Sequence, residues 1–122
     1  MDDRANLGRL GEREAERFLR RRRFRTVTRN YRCPVGELDL VVLDGAVIVF
    51  VEVKTRTGRE HADPEDAVNS GKQHRLMRAA RYFLRQTGSE GRACRFDIVA
   101  ITRGPDGRLE LEHLPNAFTP AG

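Results

Sequence analysis

Three charged side chains lie close together in the sequence, and their types suit hydrolysis assisted by a bound metal ion. Asp39 is followed thirteen residues later by Glu52, and Lys54 comes two residues after that. Carboxylate oxygens are the ligands that Mg²⁺ and Mn²⁺ prefer, and a neighbouring lysine can orient a water molecule or neutralise charge on a phosphate. We therefore predict that Asp39 and Glu52 hold one or two Mg²⁺ or Mn²⁺ ions beside Lys54, with the Val53 carbonyl as a further candidate ligand.

These residues fall on two predicted β-strands joined by a hairpin turn. Residues 36–41 and 47–54 are rich in apolar and β-branched types, which favour strands. Between the two apolar runs, Asp44-Gly45-Ala46 supplies the positive φ that a tight turn requires. The charged residues are therefore expected to meet on neighbouring strands.

Alternation along the strands assigns the side chains to faces. Glu52 and Lys54 share one face of the second strand. On the first strand Asp39 is expected on one face, and the other face holds Leu38, Leu40 and Val42. The second strand is apolar on both faces along most of its length and belongs inside a sheet, so its charges must be paired, metal-bound or open to a cleft. A plain Glu52–Lys54 ion pair at a strand end is the alternative to a metal site.

The spacing of Asp39 and Glu52-Val53-Lys54 resembles the Asp…Glu-x-Lys motif of the PD-(D/E)xK, restriction-endonuclease-like nucleases. A wider pattern resembles the YraN-like family of uncharacterised bacterial proteins, which is similar to archaeal Holliday junction resolvases. The match runs from about Leu7 to Phe118, and Leu38 stands where many of these nucleases have proline. The wider pattern consists of Gly11-Glu12, Gly36 to Leu40, Phe50 to Arg56, Lys72-Gln73, Arg95 to Val99 and His113 to Phe118.

The resemblance adds residues to the predicted site. A helix-one glutamate completes the metal site in the resolvase-like relatives, and Glu12 matches it by position; spacing alone equally allows Glu12 to pair with Arg9 or Arg13. A glutamine or lysine of a later helix approaches the scissile phosphate in related nucleases, which makes Lys72 and Gln73 secondary candidates. Gln73 also fits a helix capping box, and that role is sufficient for it. Resolvase relatives are two-fold dimers, so a homodimer is expected by analogy.

The charge balance favours a polyanionic partner. Lys and Arg number 23 against 18 Asp and Glu, which gives a formal charge of +5 and a pI near 10.0. Nucleic acid is expected ahead of a membrane surface, because no helix shows the aromatic anchors of a membrane-surface helix. A simple solvated surface is the alternative reading. The candidate nucleic-acid-binding residues are Arg20, Arg21, Arg22, Arg23, Arg25, Arg29, Arg32, Arg56, Lys72, Gln73 and Arg75.

The whole chain is expected to form one domain, residues 1–122, with an ordered core of about 7–118. The element order αβββαββ predicts an α/β fold of the restriction-endonuclease-like type, with a central mixed sheet flanked by helices. The predicted helices run from an N-cap at Asn6 to about Arg23, briefly from Asp63, and from Ser70 onward. Further strands are predicted at 24–32, 94–102 and 109–114, a polar loop at 55–62, and an irregular tail from Pro115 in which Phe118 packs back on the domain.

Three smaller features complete the prediction. The sequence has no apolar run of transmembrane length and no secretory leader, so a cytoplasmic location is expected. Cys33 and Cys94 lie far apart without a zinc-site spacing and are expected to be reduced. Asp97 interrupts an apolar run, and we expect an arginine from one of the helices to pair with it.

The predicted function is that of a metal-dependent endonuclease that hydrolyses phosphodiester bonds in nucleic acid. DNA is the expected substrate, and branched DNA of repair or recombination is one candidate form of it. One alternative is a non-catalytic nucleic-acid-binding accessory protein that retains the nuclease fold. Another is a structural partner whose basic face meets an acidic protein. Catalysis does not tolerate loss of Glu52 or Lys54, whereas both alternatives do.

Overall fold

The computed structural model describes residues 3–57 and 68–118, with side chains from residue 6. The element order αβββαββ is confirmed. No helix in these two ranges is long and apolar enough to span a membrane. The elements are α1 (Asp3–Arg21), β1 (Arg25–Cys33), β2 (Gly36–Asp44), β3 (Val47–Thr57), α2 (Ser70–Gln86), β4 (Cys94–Arg103) and β5 (Leu109–Phe118).

The five strands form one mixed sheet in the order β1-β2-β3-β4-β5. Only β3 and β4 pair in parallel; the other neighbours are antiparallel. The chain between β3 and β4 contains α2, as expected for the crossover that a parallel pair requires. The hairpin turn between β2 and β3 is confirmed, with Gly45 at φ 59°. This arrangement is compatible with a restriction-endonuclease-like fold.

One helix covers each face of the sheet. The core on the α1 side contains Ala15 and Leu19 of the helix packed on Leu40, Val42, Val49, Val51, Val99 and Ile101. The core on the α2 side is larger and includes Leu76, Met77, Ala79, Ala80 and Phe83 of the helix packed with Leu38, Val41, Ile48, Phe50, Phe96 and Ile98. Burial of apolar surface on both faces therefore holds the sheet between the helices.

The alternation of faces shifts by one residue in β2, contrary to the sequence prediction. Leu38 packs in the core on the α2 side, whereas Leu40 packs in the core on the α1 side. Asp39 lies between them. On the neighbouring strand β1, Arg29 pairs with Leu40 and Tyr31 pairs with Leu38, and Asn30 between them has φ 49°. The regular two-residue period of β2 therefore breaks at Asp39, next to a left-handed residue of the neighbouring strand.

The ends of α1 differ from those predicted. The helix begins at Asp3. Asn6 therefore lies inside the helix and is not its N-cap; its side-chain oxygen accepts a hydrogen bond from Arg9 at 2.6 Å. The helix ends at Arg21, because Arg23 adopts the left-handed conformation with φ 73°.

Helix α2 begins at Ser70, as predicted, but its N-cap differs. Asn69, not Ser70, is the N-cap, and its side-chain oxygen accepts a hydrogen bond from the backbone N–H of Lys72 at 3.0 Å. The predicted capping box is therefore wrong. The Gln73 side chain instead donates to the carbonyl of Val68 at 3.0 Å.

Two strands are longer than predicted because their neighbours continue to pair with them. β3 extends through Thr57, opposite Arg103 of β4, so residues 55–57 are strand and not loop. β5 extends to Phe118, whose ring stacks on Phe96 with the ring centroids 4.9 Å apart, as predicted for its packing. The remainder of the predicted loop and the short helix from Asp63 lie outside the described residues. Both cysteines are free thiols, as predicted.

Close packing of α1 on β3 depends on Gly11. A Cβ at this position would overlap the Cγ2 methyl of Thr55 and lie 3.3 Å from Cδ1 of Ile101. Glycine therefore allows the helix backbone to approach the sheet one residue before Glu12. This contact fixes the height of Glu12 above β3.

We predict that Gly11→Ala lowers the free energy of unfolding by about 1–3 kcal/mol, because the added methyl overpacks the contact with Thr55. Thr55→Ser removes the Cγ2 methyl and should restore part of this loss in the double variant. Urea denaturation of the two single variants and the double variant measures the coupling. Strictly additive effects would contradict the proposed contact.

Candidate active site

The site begins where β2 and β3 stop pairing. The two strands are in register from the hairpin to the pair Leu40–Val51. Beyond it, the Asp39 carboxylate accepts a hydrogen bond from the backbone N–H of Val53, with Oδ2 2.9 Å from the nitrogen. The side chain thus satisfies a donor that the strand ladder leaves open. It also anchors the carboxylate beside Glu52.

Glu52 is buried, and two lysines neutralise it. Its relative exposure is only 7%. Oε1 lies 2.7 Å from Nζ of Lys72 and 3.4 Å from Nζ of Lys54. Lys54 comes from β3 itself, whereas Lys72 reaches in from the first turn of α2. An ionised carboxylate in this position requires such partners, since an unpaired buried charge is costly.

Three carboxyl groups act on one another in this region. Burial, followed by the charge of Glu52, raises the pKa of Asp39 to about 7, and Glu12 adds to the effect. Burial also raises the pKa of Glu12; a hydrogen bond with Asn30 opposes this rise, and the charge of Glu52 adds to it. Such mutual repulsion favours binding of either a proton or a cation at Asp39.

The two lysines differ in their protonation. Burial, followed by the neighbouring Lys72, holds the pKa of Lys54 below its usual range. Burial also lowers the pKa of Lys72, but its bond to Glu52 outweighs this effect and leaves the pKa raised. Lys72 is therefore the fixed counter-ion of Glu52. Lys54 is the lysine that more readily exchanges a proton.

The donor set fits a hard divalent cation with two protein carboxylates. In the described part of the chain, no group of three or more His, Cys, Asp or Glu side chains is arranged to hold a metal ion. Mg²⁺ does not require such a group, because it commonly binds one or two carboxylates together with waters and substrate phosphate. Asp39 and Glu52 could form such a pair, and their role as ligands stays a prediction. The charge of Glu12 adds to the raised pKa of Asp39, and its role as a ligand stays a prediction too.

A cleft of about 210 Å³ reaches Asp39 from the side of α1. Its walls include Glu12 and Asn30, which sequence reasoning had not linked to each other. Arg29 also lines the cleft, but its Nε is bound to Glu16 at 2.6 Å. The other lining residues are Arg9, Arg13 and Leu40. The cleft makes Asp39 and Glu12 accessible from the α1 side, whereas Glu52 is not among its lining residues.

Most of the predicted nucleic-acid-binding residues fall into two groups, one at the hairpin end of the sheet and one at the start of α2. Arg25 pairs with Leu43, which lies four residues, or roughly 13 Å, along β2 from Asp39. The exposed arginines 20–23 precede it, so this cluster lies toward the hairpin end of the sheet, away from the carboxylates. Lys72 is in the site, and Arg75 is exposed one turn further along α2.

The remaining predicted contacts are engaged locally or lie at the surface. Gln73 is bound to the carbonyl of Val68, and Nε of Arg56 donates to the Thr102 hydroxyl at 3.1 Å. Arg32 is exposed and lies 3.9 Å from Glu37, which is itself exposed. Sequence reasoning missed Lys72 as the partner of Glu52, because the two are twenty residues apart and meet only through the packing of α2.

Comparison with known proteins identifies relatives of the same length. Residues 11–101 match the model of the uncharacterised protein family UPF0102. A UPF0102 protein of Symbiobacterium thermophilum is 48% identical over 112 residues, which cover 92% of this chain and 95% of that protein. A UPF0102 protein of Pelotomaculum thermopropionicum is 45% identical over 118 residues, covering 96% and 98%. Another, from Syntrophotalea carbinolica, is 44% identical over 115 residues, covering 94% and 93%.

We predict a pH-dependent stability in the metal-free protein that Asp39→Asn removes. The unfolded chain releases the Asp39 proton near its ordinary pKa of 3.8, whereas the folded protein keeps it up to about pH 7. The folded state therefore binds more protons in this window, and its free energy of unfolding falls as pH rises from about 4 to about 7. Urea denaturation in EDTA measures the difference between the wild type and Asp39→Asn. A constant difference across the window would contradict the prediction.

Proposed function

The chain belongs to the uncharacterised protein family UPF0102. We propose that it is a metal-dependent endonuclease that hydrolyses phosphodiester bonds in nucleic acid, with DNA as the expected substrate. One observation supports the proposal most directly. Asp39 and Glu52 lie beside each other where β2 and β3 stop pairing, and the ammonium group of Lys54 is paired with Glu52. The resemblance to PD-(D/E)xK nucleases and the compatible fold support the same reaction class.

Asp39 and Glu52 are the residues that would hold the metal ion. A bound Mg²⁺ would supply Lewis acidity, which would lower the pKa of a water ligand and stabilise charge on the phosphate. The Val53 N–H holds one oxygen of Asp39 in place, and Lys72 and Lys54 hold one oxygen of Glu52. Each carboxylate is thus oriented before substrate arrives, which reduces the reorganisation that catalysis requires.

Lys54 is proposed to act on the reacting groups, whereas Lys72 is proposed to hold Glu52 in position. The lowered pKa of Lys54 suits a group that orients a water molecule or passes a proton during phosphoryl transfer. Lys72 lies closer to Glu52 than Lys54 does, and its raised pKa keeps it charged. It fixes the Glu52 carboxylate from the start of α2. Glu12, on the opposite helix, faces the substrate cleft as a third carboxylate.

A non-catalytic nucleic-acid-binding protein is the second candidate function, and one observation favours it. Two lysines already neutralise Glu52, so its burial is explained without a metal ion. A retained nuclease scaffold would keep this ion-paired arrangement and use the basic surface alone. The two functions therefore differ in whether Glu52 is required for turnover.

We predict metal-dependent cleavage that Glu52→Gln reduces by about 10²-fold or more, because the variant loses a metal-binding charge that stabilises the transition state. The substrates are a labelled Holliday junction, a flap, a linear duplex, and single-stranded DNA and RNA, each with Mg²⁺ or Mn²⁺. Denaturing gels measure the products, and anisotropy measures binding.

Glu37→Gln is the matched control, because it removes an exposed carboxylate two residues before Asp39. It should cut like the wild type. Cleavage that survives in Glu52→Gln would overturn the assigned site. If the wild type and Glu52→Gln both bind the substrates and neither cleaves them, the second candidate function would be established.

A thermal-shift measurement tests metal binding without reference to activity. Mn²⁺ at about 100 times its dissociation constant should stabilise the wild type by about 2.7 kcal/mol and raise its Tm by several degrees at pH 7.5. The variants Asp39→Asn and Glu52→Gln should lose most of this shift, and Glu37→Gln should keep it. An equal shift in all four proteins would place the ion elsewhere.

A further inference from the structure

Helix α2 has a basic outer face. The segment Ser70–Gln86 contains no acidic residue. Its apolar residues Leu76, Met77, Ala79, Ala80 and Phe83 are buried against the sheet. Between Arg75 and Arg85 the exposed side chains of the helix are four arginines and one tyrosine. We define the α2 basic face by its exposed members Arg75, Arg78, Arg81, Tyr82 and Arg85.

The arginines of the α2 basic face form a continuous stripe. They recur every three or four residues, which makes successive members neighbours on a helix surface. From Arg75 to Arg85 the helix rises about 15 Å. One strand of a DNA duplex carries a phosphate about every 3.4 Å along its axis, so this length matches about four phosphates. Four guanidinium groups therefore face a comparable number of anionic positions.

These four arginines have no acidic partner among the described residues. Two arginines of β1 and α1 are different, because Arg29 is bound to Glu16 and Arg17 lies 3.4 Å from Glu14. An arginine that already has an ion pair contributes less binding free energy to a phosphate contact, since the new contact must replace the existing one. The four arginines of the α2 basic face can thus bind a polyanion without breaking an existing ion pair.

The stripe starts at the candidate active site. Lys72 lies one turn before Arg75 and binds Glu52. From there α2 crosses the sheet toward the edge strand β1, where the Tyr31 hydroxyl donates to Gln86. A nucleic-acid strand bound at the Lys72 end of α2 could follow the helix away from the site. By contrast, the arginines 20–23 lie beyond the other end of β2.

We propose that the α2 basic face binds the sugar–phosphate backbone of double-stranded nucleic acid on one side of the cleaved bond. This inference rests on the proposed function, because the backbone it guides is that of the substrate cut at Asp39 and Glu52. A membrane surface is a poorer partner, since Tyr82 is the single aromatic residue on the face and no aliphatic residue accompanies it. Backbone binding gives affinity without reading sequence.

The test measures binding of a labelled 30-base-pair duplex in EDTA, so that cleavage plays no part. One variant replaces Arg75, Arg78, Arg81 and Arg85 with Gln, which favours helix formation nearly as well as Arg. Its matched control replaces Arg20, Arg21, Arg22 and Arg23 with Gln and removes the same charge. A third variant changes the four α2 arginines to Lys. Circular dichroism and Tm confirm that all four proteins are folded.

We expect the α2 Gln variant to bind at least tenfold more weakly than the control at equal salt. Its slope of log K against log salt concentration should be shallower than that of the wild type by about three to four, since each phosphate contact contributes about 0.9. The Lys variant should keep most of the slope, because it keeps the charges.

Three outcomes would overturn the proposal. Equal losses in the two Gln variants would show an effect of net charge alone, and wild-type binding by the α2 Gln variant would exclude the face. Tighter wild-type binding to vesicles of anionic lipid than to duplex, lost in the α2 Gln variant, would identify a membrane as the partner. Cleavage is assayed separately in Mg²⁺. If the α2 Gln variant loses duplex binding, the role of the α2 basic face is supported even when the wild type does not cleave DNA. If the variant binds like the wild type while the wild type cleaves with Mg²⁺, the role of the α2 basic face is refuted and the proposed nuclease function is not.

Discussion

The hydrogen bond from the Val53 backbone N–H to the Asp39 carboxylate is the constraint on which the site depends. It stands at the point where β2 and β3 stop pairing, and a side chain there takes the place of a backbone acceptor. The strands can therefore separate without leaving that buried donor unsatisfied. Separation opens the cleft from the α1 side, and the same bond fixes the carboxylate next to Glu52. The shift of faces between Leu38 and Leu40 is the geometric mark of this transition.

Burial of several charges at one place is stabilised by elements on both faces of the sheet. Lys72 arrives from the first turn of α2, whose position is set by the apolar core around Phe50 and Phe83. Glu12 arrives from α1, whose close approach requires glycine at position 11. Neither helix alone forms the site. A change that moves either helix relative to β3 should therefore alter the electrostatics around Asp39, even where it touches no charged residue.

A second buried carboxylate shows what a purely structural charge looks like in the same sheet. Asp97 is fully buried and accepts hydrogen bonds from Arg95 and from the backbone N–H of Asn116, with His113 Nε2 at 2.8 Å from its Oδ2. Burial raises its pKa, but these partners outweigh burial and leave the pKa lowered. Asp39 lacks such a set of donors, and its pKa is raised. The contrast separates a carboxylate that links β4 to β5 from one whose ionised form is disfavoured by burial and by neighbouring carboxylates.

The sequence by itself determined the element order, the β2–β3 hairpin and the shared face of Glu52 and Lys54, because local propensity and period-two alternation act over a few residues. It placed the start of α1 a few residues late and the N-cap of α2 one residue late. It also missed the extension of β3 to Thr57, since a strand continues where its neighbour continues. It also assigned Asp97 to an arginine of a helix, whereas Arg95 on the same strand binds it. Only the tertiary structure decided which side chains meet: Lys72 with Glu52, and Asn30 with Glu12. These contacts join residues that are distant in the chain, and helix packing on the sheet, which no local pattern encodes, brings them together.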